Sequence, residues 1–288
     1  MADNPLKRHF RQSSLSVRLP SLGLWYNDDD VELIVGADGK KELAIFPLTS
    51  VDDVLLNTPD SMLNGQSLEK VIKSCAPGVK NVKKLMLPDL EAIFVGIKSA
   101  TNNGKVEYSR RCPKCEFENV FDIICQKLLE SSTFVNEDDL IIKFSDELII
   151  HVKPYDFEMR QMFIKREFDE ERTLRSLDTP NNTLDELEKA AILGESVDRL
   201  SKITFTLVSR SIEKIVMLKD NVTVTAPEHI NEWLVSISKA QADIVIDSVN
   251  KLNAVGIVKT IPVTCSSCGH QWEDALTFDP SSFFGKRS

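Results

Sequence analysis

The sequence has few of the residues and motifs on which most enzyme active sites depend. Its four histidines are scattered along the chain: His9, His151, His229 and His270. The GxxxxGK[ST], GxGxxG, HExxH and GxSxG motifs are all absent. Acidic clusters occur at 28–30, 137–139 and 169–171, and such runs are more typical of solvated loops and helix faces than of catalytic carboxylate pairs. The sequence therefore predicts a protein that is not an enzyme.

Long apolar runs are also missing. No stretch approaches the roughly 20 apolar residues that a membrane-spanning helix needs. Residues 1–15 are polar and basic with no apolar stretch behind them, unlike a secretory signal. We therefore expect no membrane partner and a reducing cytoplasm, in which cysteines remain thiols or bind metal. The formal net charge of -9 further disfavours nonspecific binding to nucleic acid.

The cysteines are the most informative residues that the chain does have. Two CxxC pairs occur, Cys112 and Cys115 in RRCPKCEF and Cys265 and Cys268 in VTCSSCGH. Each pair lies between two predicted strands, as in a zinc knuckle. There the two-residue spacer directs both thiolates at one ion, and the tight turn directs backbone N–H groups at the sulfurs. Four thiolates form a closed tetrahedral site, which stabilises folding because no position is left for water or substrate.

The distance between the two pairs leaves alternatives to consider. Cys265 follows Cys115 by 150 positions, so a shared ion requires the intervening residues to form an insertion. A redox dithiol would need a helix starting at the motif, and free thiols are the other alternative. Cys75 and Cys125 are expected to be buried apolar thiols, and His270 could replace a thiolate only if one knuckle were distorted. The sequence predicts one structural zinc ion and four ligands: Cys112, Cys115, Cys265 and Cys268.

Hydrophobic periodicity and turn residues divide the chain into five segments. These are a flexible basic arm (1–15), an α+β domain of short strands and helices (16–104), the first zinc knuckle with a β-hairpin (105–154), a helical region (155–255), and the second knuckle with a C-terminal tail (256–288). One long helix is predicted to start near Pro227 and to continue through Ile244. The predicted fold class is α+β, with a four-cysteine zinc ribbon split by a largely helical insertion.

Several segments resemble one known family. They are LPSLGLWY, FPLTSVDDVLLNTPDSMLNGQSLEKVIKSCAPGV, LPDLEAIFVGIKSAT and CPKC, in that order over about residues 16–125. This part of the chain is similar to the baseplate hub subunit family of T4-like contractile-tailed bacteriophages, and TPDSMLNG followed by VIKSCAPG is its most distinctive stretch. The resemblance implies a non-enzymatic hub-region component or hub-assembly factor. Its partners would be other baseplate or hub proteins, in the host cytoplasm during assembly and in the virion tail baseplate if the protein is retained.

Both ends of the chain are predicted to be contact elements. The arm carries three basic residues: Lys7, Arg8 and Arg11. Since the chain as a whole is acidic, the arm would be drawn to acidic surfaces, including those of sister copies in a homo-oligomer. The tail carries three phenylalanines: Phe278, Phe283 and Phe284. They either cover their own chain or fill an apolar groove of a neighbour, and the resemblance favours the neighbour.

The main alternative function is that of a zinc-ribbon nucleic-acid-binding protein. Zinc ribbons often serve such proteins, and Arg110, Arg111 and Lys114 cluster near the first knuckle. Glu273 and Asp274, beside the second knuckle, argue against a continuous phosphate-binding face. The two hypotheses differ in whether the protein shows salt-dependent binding to DNA or RNA.

Overall fold

The chain forms two compact units, and the sequence of one is inserted into the sequence of the other. A computed structural model describes residues 6, 9–57, 65–101, 104–177 and 185–276, apart from the side chains of residues 176, 177 and 186. The described residues within Met1–Phe134 and Val255–Ser288 form one unit, called the ribbon unit below. Val135–Ala254 form the other, called the inserted unit. The chain therefore leaves the ribbon unit once and returns to it once.

Helices and short antiparallel strands alternate along the described residues, which confirms the α+β fold class. In chain order the elements are β1 (Leu15–Val17), β2 (Ile34–Val35), β3 (Lys41–Ile45), α1 (Ser50–Leu56), α2 (Gln66–Cys75), α3 (Leu87–Thr101), β4 (Lys105–Arg111), β5 (Glu118–Ile124), α4 (Cys125–Glu130), β6 (Ile141–Lys143), β7 (Leu148–Val152), α5 (Phe157–Leu177), α6 (Glu186–Ser211), β8 (Ile212–Met217), β9 (Val222–Val224), α7 (Pro227–Ser236), α8 (Lys239–Asn253), β10 (Thr260–Thr264) and β11 (Gln271–Ala275). Short 3-10 turns lie at Val82–Lys84 and Glu137–Leu140.

The core of the ribbon unit lies where helix α3 packs on a three-stranded sheet of order β1-β3-β2. Phe94 and Ile97 of α3 are fully buried, as is Ile45 of β3. The helix approaches the sheet closely at Gly96, where an added Cβ would lie 2.7 Å from Cγ2 of Val17. Burial of large aliphatic side chains, worth roughly 1.5–3 kcal/mol each, therefore compensates for the scarcity of aromatic residues.

A buried carboxyl group fixes the loop of residues 19–26 to the start of α3. Asp89 is fully buried, and its Oδ1 accepts a hydrogen bond from the backbone N–H of Ser21 at 2.8 Å. The Tyr26 hydroxyl donates to Oδ2 at 2.5 Å and accepts from the backbone N–H of Met86 at 2.7 Å. Burial raises the pKa of Asp89 to about 6, because the loss of hydration outweighs these hydrogen bonds. LPSLGLWY thus has a structural role in this unit.

The inserted unit contains an antiparallel sheet of order β6-β7-β8-β9 as well as helices α5 to α8. The hairpin β6–β7, grouped with the first knuckle in the sequence-based division, pairs here with β8, with Ile150 opposite Ile215. Strands β8 and β9 lie inside the segment predicted to be helical. Their β-branched residues favour strands, and Ile212 and Ile215 are buried on this sheet. The unit is otherwise largely helical, as expected.

The long helices α5 and α6 are joined by a buried ionic cluster. Glu170 of α5 accepts hydrogen bonds from Nε and Nη2 of Arg199 at 2.8 and 3.0 Å and from Oγ of Ser196 at 2.8 Å. Arg166 adds a contact at 3.5 Å. The Arg199 hydrogen bonds, followed by that of Ser196, lower the pKa of Glu170 to about 2. Because Arg199 and Ser196 lie on α6 and Glu170 lies on α5, their hydrogen bonds fix the register of the two helices.

The last helical stretch is two helices where the sequence predicted one. Helix α7 ends at Ser236, and Ser238 caps the start of α8 with a capping box. The Ser238 hydroxyl accepts a hydrogen bond from the backbone N–H of Gln241, and the Gln241 side chain accepts one from the backbone N–H of Ser238. A cap satisfies backbone donors that a continuous helix would use internally, so it starts a new helix. Within the described part of the chain, none of the helices has the length and apolarity to cross a membrane.

The Asp89 carboxyl predicts a specific pH dependence. Its native pKa of about 6 lies above the ordinary value of 3.8, so between these values the native state holds a proton that the unfolded state has lost. The protonated Asp89 side chain therefore contributes stability to the native state below about pH 4, and this contribution is lost as the pH rises through 6. The free energy of unfolding of Asp89→Asn, measured relative to wild type, should rise by on the order of 3 kcal/mol between pH 4 and pH 7. A pH-independent difference in urea titrations would contradict this.

Candidate metal centre

The first CxxC pair lies in the turn between β4 and β5. The Cys112 N–H donates to the carbonyl of Phe117 at 2.9 Å, and the Glu116 N–H donates to the carbonyl of Cys112 at 2.9 Å. The Lys114 N–H points at the Cys112 sulfur, 3.4 Å away. Glu116 has a φ of 58°, in the left-handed region. This tight turn brings Cys112 and Cys115 to one side of the hairpin.

The second pair lies in the turn between β10 and β11 and repeats the same pattern. The Cys265 N–H donates to the carbonyl of His270 at 2.8 Å, and the Gly269 N–H donates to the carbonyl of Cys265 at 3.0 Å. Gly269 has a φ of 69° and corresponds to Glu116, each lying four positions after the first cysteine of its pair. Two equivalent knuckles therefore arise from separate parts of the sequence.

The two knuckles face each other and bring four sulfurs together. The Sγ atoms of Cys112 and Cys268 are 3.7 Å apart, those of Cys115 and Cys265 are 3.6 Å apart, and all four lie within 4.8 Å of one another. Tetrahedral coordination with metal–sulfur bonds of about 2.3 Å implies sulfur–sulfur distances of about 3.8 Å. The cluster therefore has the size to hold one metal ion.

The protonation of these thiols depends on one another. Burial disfavours the Cys265 thiolate, but N–H donors from Cys268, Ser267 and Asn119 and contact with Cys115 outweigh it and lower its pKa to about 6. The Phe117 N–H favours the Cys115 thiolate, yet Cys268, burial and the other two thiols raise its pKa to about 12. Closely spaced thiols ionise one at a time because like charges repel, and a cation removes this repulsion.

Asn119 links the two knuckles at the metal end. It lies on β5, four residues after Cys115, and only 2% of its surface is exposed. Its Oδ1 accepts from the backbone N–H of Ser266 at 2.9 Å and from the Ser266 hydroxyl at 3.1 Å. Its Nδ2 donates to the carbonyl of Phe117 at 3.0 Å and points at the Cys265 sulfur, 3.7 Å away. The sequence reasoning missed this residue.

A second link joins β4 to β11. The Tyr108 hydroxyl donates to the carbonyl of Ala275 at 3.0 Å and contacts Asp274 at 3.2 Å. Arg110 forms an ion pair with Asp274 at 3.0 Å, and its guanidinium lies over the Tyr108 ring, 4.3 Å from the centroid. Arg110 is thus engaged with the second hairpin. Asp274, which the sequence suggested would oppose a phosphate-binding face, neutralises one of the basic residues of that face.

Other residues considered as ligands lie outside the cluster. Cys75 and Cys125 are fully buried in the ribbon unit, as expected for apolar thiols. Burial raises the pKa of each to about 11, although Arg11 beside Cys75 and Lys98 near Cys125 act in the opposite direction. The His270 ring stacks on Trp272, with centroids 6.0 Å apart, and is not part of the four-residue group.

The proposed contact residues of the termini are mostly beyond what the structure describes. Lys7, Arg8, Phe278, Phe283 and Phe284 lie outside the described residues. Arg11 is bound within its own chain. Its Nη2 donates to the carbonyl and hydroxyl of Ser74, both at 2.6 Å, and its Nη1 lies 3.5 Å from the Asp52 carboxylate and also contacts the Pro47 carbonyl. A role of Arg11 toward a partner stays a prediction.

A comparison with protein families bears on the whole chain. The model of a family described as T4 bacteriophage base plate protein matches residues 38–285. The chain belongs to this family. The match includes all four clustered cysteines and the inserted unit, whereas the resemblance seen in the sequence ended near the first knuckle. Comparisons with curated proteins and with solved structures gave no match. The expected baseplate family is confirmed for this protein.

Substitutions at Glu116 and Gly269, the left-handed turn residues of the two knuckles, should change the stability of this baseplate protein in opposite directions. A Cβ on Gly269 would meet no atom within 4 Å, so Gly269→Ala changes only backbone strain and should destabilise by about 1–2 kcal/mol. Glu116→Gly relieves the same strain, and it should stabilise by less than about 1 kcal/mol because glycine also loosens the unfolded chain. Denaturant titration measures both.

Gly194→Ala is the control for these variants. Gly194 lies in α6, has no left-handed φ, and also has open space around its Cα. Alanine favours helix there, so this variant should be at least as stable as wild type. Loss of stability in Gly194→Ala equal to that in Gly269→Ala would show that the knuckle conformation is not the cause.

Proposed function

We propose that this baseplate protein is a non-enzymatic component of the hub region, or a factor that assists hub assembly, and that a structural zinc ion stabilises it. The family match supports the baseplate role. The observation that carries the metal is the convergence of four cysteine sulfurs, 3.6–3.7 Å apart in two pairs, from segments 150 positions apart. The distinctive segments of the first 125 residues, which resemble hub subunits, support the hub assignment.

Zinc suits this cluster better than other metals. Four thiolates arranged tetrahedrally favour Zn2+ or iron, whereas Mg2+ and Ca2+ prefer oxygen ligands. Zinc needs no redox partner, and tight CxxC turns with N–H groups directed at sulfur are typical of its structural sites. With four protein ligands no position remains for water or substrate, so the ion would contribute folding energy. In small zinc domains that apparent contribution is about 10–16 kcal/mol.

Such an ion would close a long loop of the chain. The inserted unit is joined covalently to the ribbon unit on both sides, and the knuckles lie outside these junctions. Holding the knuckles together restricts the unfolded chain between them, which stabilises the folded state. In a particle that bears mechanical load, this would keep the two ends of the ribbon unit joined. We infer that this is the contribution of the metal to the baseplate.

The enzyme alternative receives no support from the groove between α5 and α6. This groove has a volume of about 400 Å3 and is lined by four cations, among them Arg166 and Arg199. Both arginines are held by Glu170, and Lys202 pairs with Asp198 at 2.7 Å. These three cations are thus engaged in structural ion pairs, within a helix for Arg166 and Lys202 and between α5 and α6 for Arg199, and this supports the non-enzymatic proposal.

The nucleic-acid alternative is weakened by the engagement of Arg110. This residue would have to exchange its ion pair with Asp274 for a phosphate, beside an overall charge of -9. A phosphate-binding ribbon would show an affinity for DNA or RNA that falls steeply with salt. The baseplate proposal expects no such salt-dependent binding, and its presence would favour the alternative.

Metal analysis tests the zinc proposal. Purified wild-type protein should contain one zinc per chain, and Cys265→Ser should lose most of it together with several kcal/mol of stability. Cys125→Ala is the matched control, because Cys125 is equally buried but lies outside the cluster. It should lose stability without losing zinc. Equal zinc content in wild type and Cys265→Ser, or iron in place of zinc, would contradict the proposal.

The hub assignment has its own test. Antibody labelling of purified virions and of baseplate assembly intermediates should place the protein on the central axis of the baseplate. Label on intermediates but not on virions would identify an assembly factor. Label confined to the baseplate periphery would overturn the hub assignment while leaving the family membership intact.

We also propose that the two termini contact partners, which include other baseplate proteins and sister copies. The basic arm suits an acidic surface, and each phenylalanine of the tail that becomes buried contributes roughly 1.5–3 kcal/mol. Deleting residues 278–288 separates docking from folding. A truncated protein that keeps its stability but no longer enters the labelled complexes supports docking, and one that loses stability yet still enters them refutes it.

A further inference from the structure

We propose that Asn119 is a positioning residue of the metal centre, which sets the pairing of the two knuckles and raises metal affinity by hydrogen bonding to Cys265. The inference rests on the proposed metal binding and adds a residue outside the four ligands. Asn119 lies on β5, the strand that follows the first knuckle, and its side chain contacts Ser266 in the turn of the second knuckle.

The orientation of the Asn119 amide is determined by its partners. A backbone N–H can only donate and a backbone carbonyl can only accept, so the Ser266 N–H requires Oδ1 and the Phe117 carbonyl requires Nδ2. With the amide in this orientation, the Cys265 sulfur receives an N–H donor. One side chain therefore binds its own knuckle, the backbone of the opposite knuckle, and a ligand sulfur.

Comparison of the two equivalent knuckles shows that only the first hairpin can supply this side chain. Asn119 lies seven positions after Cys112, and the corresponding position of the second hairpin is Trp272, whose indole cannot accept a hydrogen bond. Ser266 lies one position after Cys265, and its counterpart is Pro113, which has no N–H. The bond can therefore form in only one of the two directions. The Asn119–Ser266 contact makes the pairing of the knuckles asymmetric and specific.

The electrostatics of the cluster give Asn119 a second effect. Four thiolates around a divalent cation leave a net charge of about −2. An amide N–H directed at one sulfur stabilises that charge, whereas a carboxylate in the same place would oppose it. Partners that hydrogen-bond a metal ligand typically contribute 10–100-fold to metal affinity.

Two substitutions at this position separate the effects. Asn119→Ala removes every hydrogen bond of the side chain. Asn119→Asp keeps the shape and the acceptor for Ser266 but replaces the donor beside Cys265 with a negative charge. Tyr108→Phe is the matched control, because it removes hydrogen bonds between the same two hairpins, to Asp274 and Ala275 of β11, and leaves the hydrogen bond from Asn119 to Cys265 in place.

The full-length variants are titrated with Co2+, and zinc affinity is measured by competition with a chromophoric chelator. We expect Asn119→Ala to lower zinc affinity by about 10–100-fold. Asn119→Asp should lower it at least as much and should also shift the thiolate-to-cobalt absorption band. Tyr108→Phe should lower affinity less, with an unchanged band. Unaltered affinity and spectra in both Asn119 variants would overturn the inference, as would equal effects in Tyr108→Phe.

Asn119→Asp keeps the test decisive if Asn119→Ala folds poorly, because it preserves the shape of the side chain. Where both variants fold, a double-mutant cycle tests the contact with Ser266 directly. Ser266→Pro places a proline after the first cysteine of the second knuckle, as in the CPKC of the first knuckle. It also removes the backbone N–H that donates a hydrogen bond to Oδ1 of Asn119. The loss of affinity caused by Asn119→Ala should then be smaller in the Ser266→Pro background than in wild type, and an equal loss would contradict the inference. Wild-type protein that forms no cobalt–thiolate band would refute the proposed metal site itself.

Discussion

The pairing of the two knuckles is subject to one electrostatic constraint, which is that four thiols share a space less than 5 Å across. Without a cation, ionisation of one thiol opposes ionisation of the next. Asn119 and the Tyr108–Arg110–Asp274 cluster provide further polar contacts between the two hairpins. With a divalent cation the same crowding becomes favourable. The short hairpins β4–β5 and β10–β11 could not be stable alone, since isolated two-stranded hairpins are marginal in water.

How far the sequence predicts the fold depends on the range of the interactions involved. The apolar residues of α3 (Leu90, Ile93, Phe94 and Ile97) recur at helical spacing, and the hairpin β6–β7 also follows from local periodicity. Both elements are present in the structure. The sequence predicted helix at β8 and β9 because β8 continues directly from α6, whereas β-branched residues and pairing with β7 on one side and β9 on the other make β8 a strand. The division at Ser238 was missed although its signal is local, in the spacing of Ser238 and Gln241.

The same distinction applies to the candidate site. All four cysteines could be selected from the sequence because each CxxC turn is a local structure with a fixed spacing. Asn119 could not, because its partner Ser266 lies 147 positions away and nothing near Asn119 indicates what it contacts. The burial of Asp89 was equally hidden, since an acidic residue in the first turn of a helix ordinarily indicates a favourable and solvated position.

The chain belongs to the baseplate family, and the proposed metal would give a physical reason for the split ribbon. Four thiolates joined by one ion would let the chain carry a large insertion without loosening the ribbon unit. X-ray absorption spectroscopy of the purified protein at the zinc edge tests this account most directly. The account predicts four sulfur scatterers at about 2.3 Å and no nitrogen or oxygen in the first coordination shell. A shell with fewer sulfurs, or with mixed nitrogen and oxygen ligands, would contradict it.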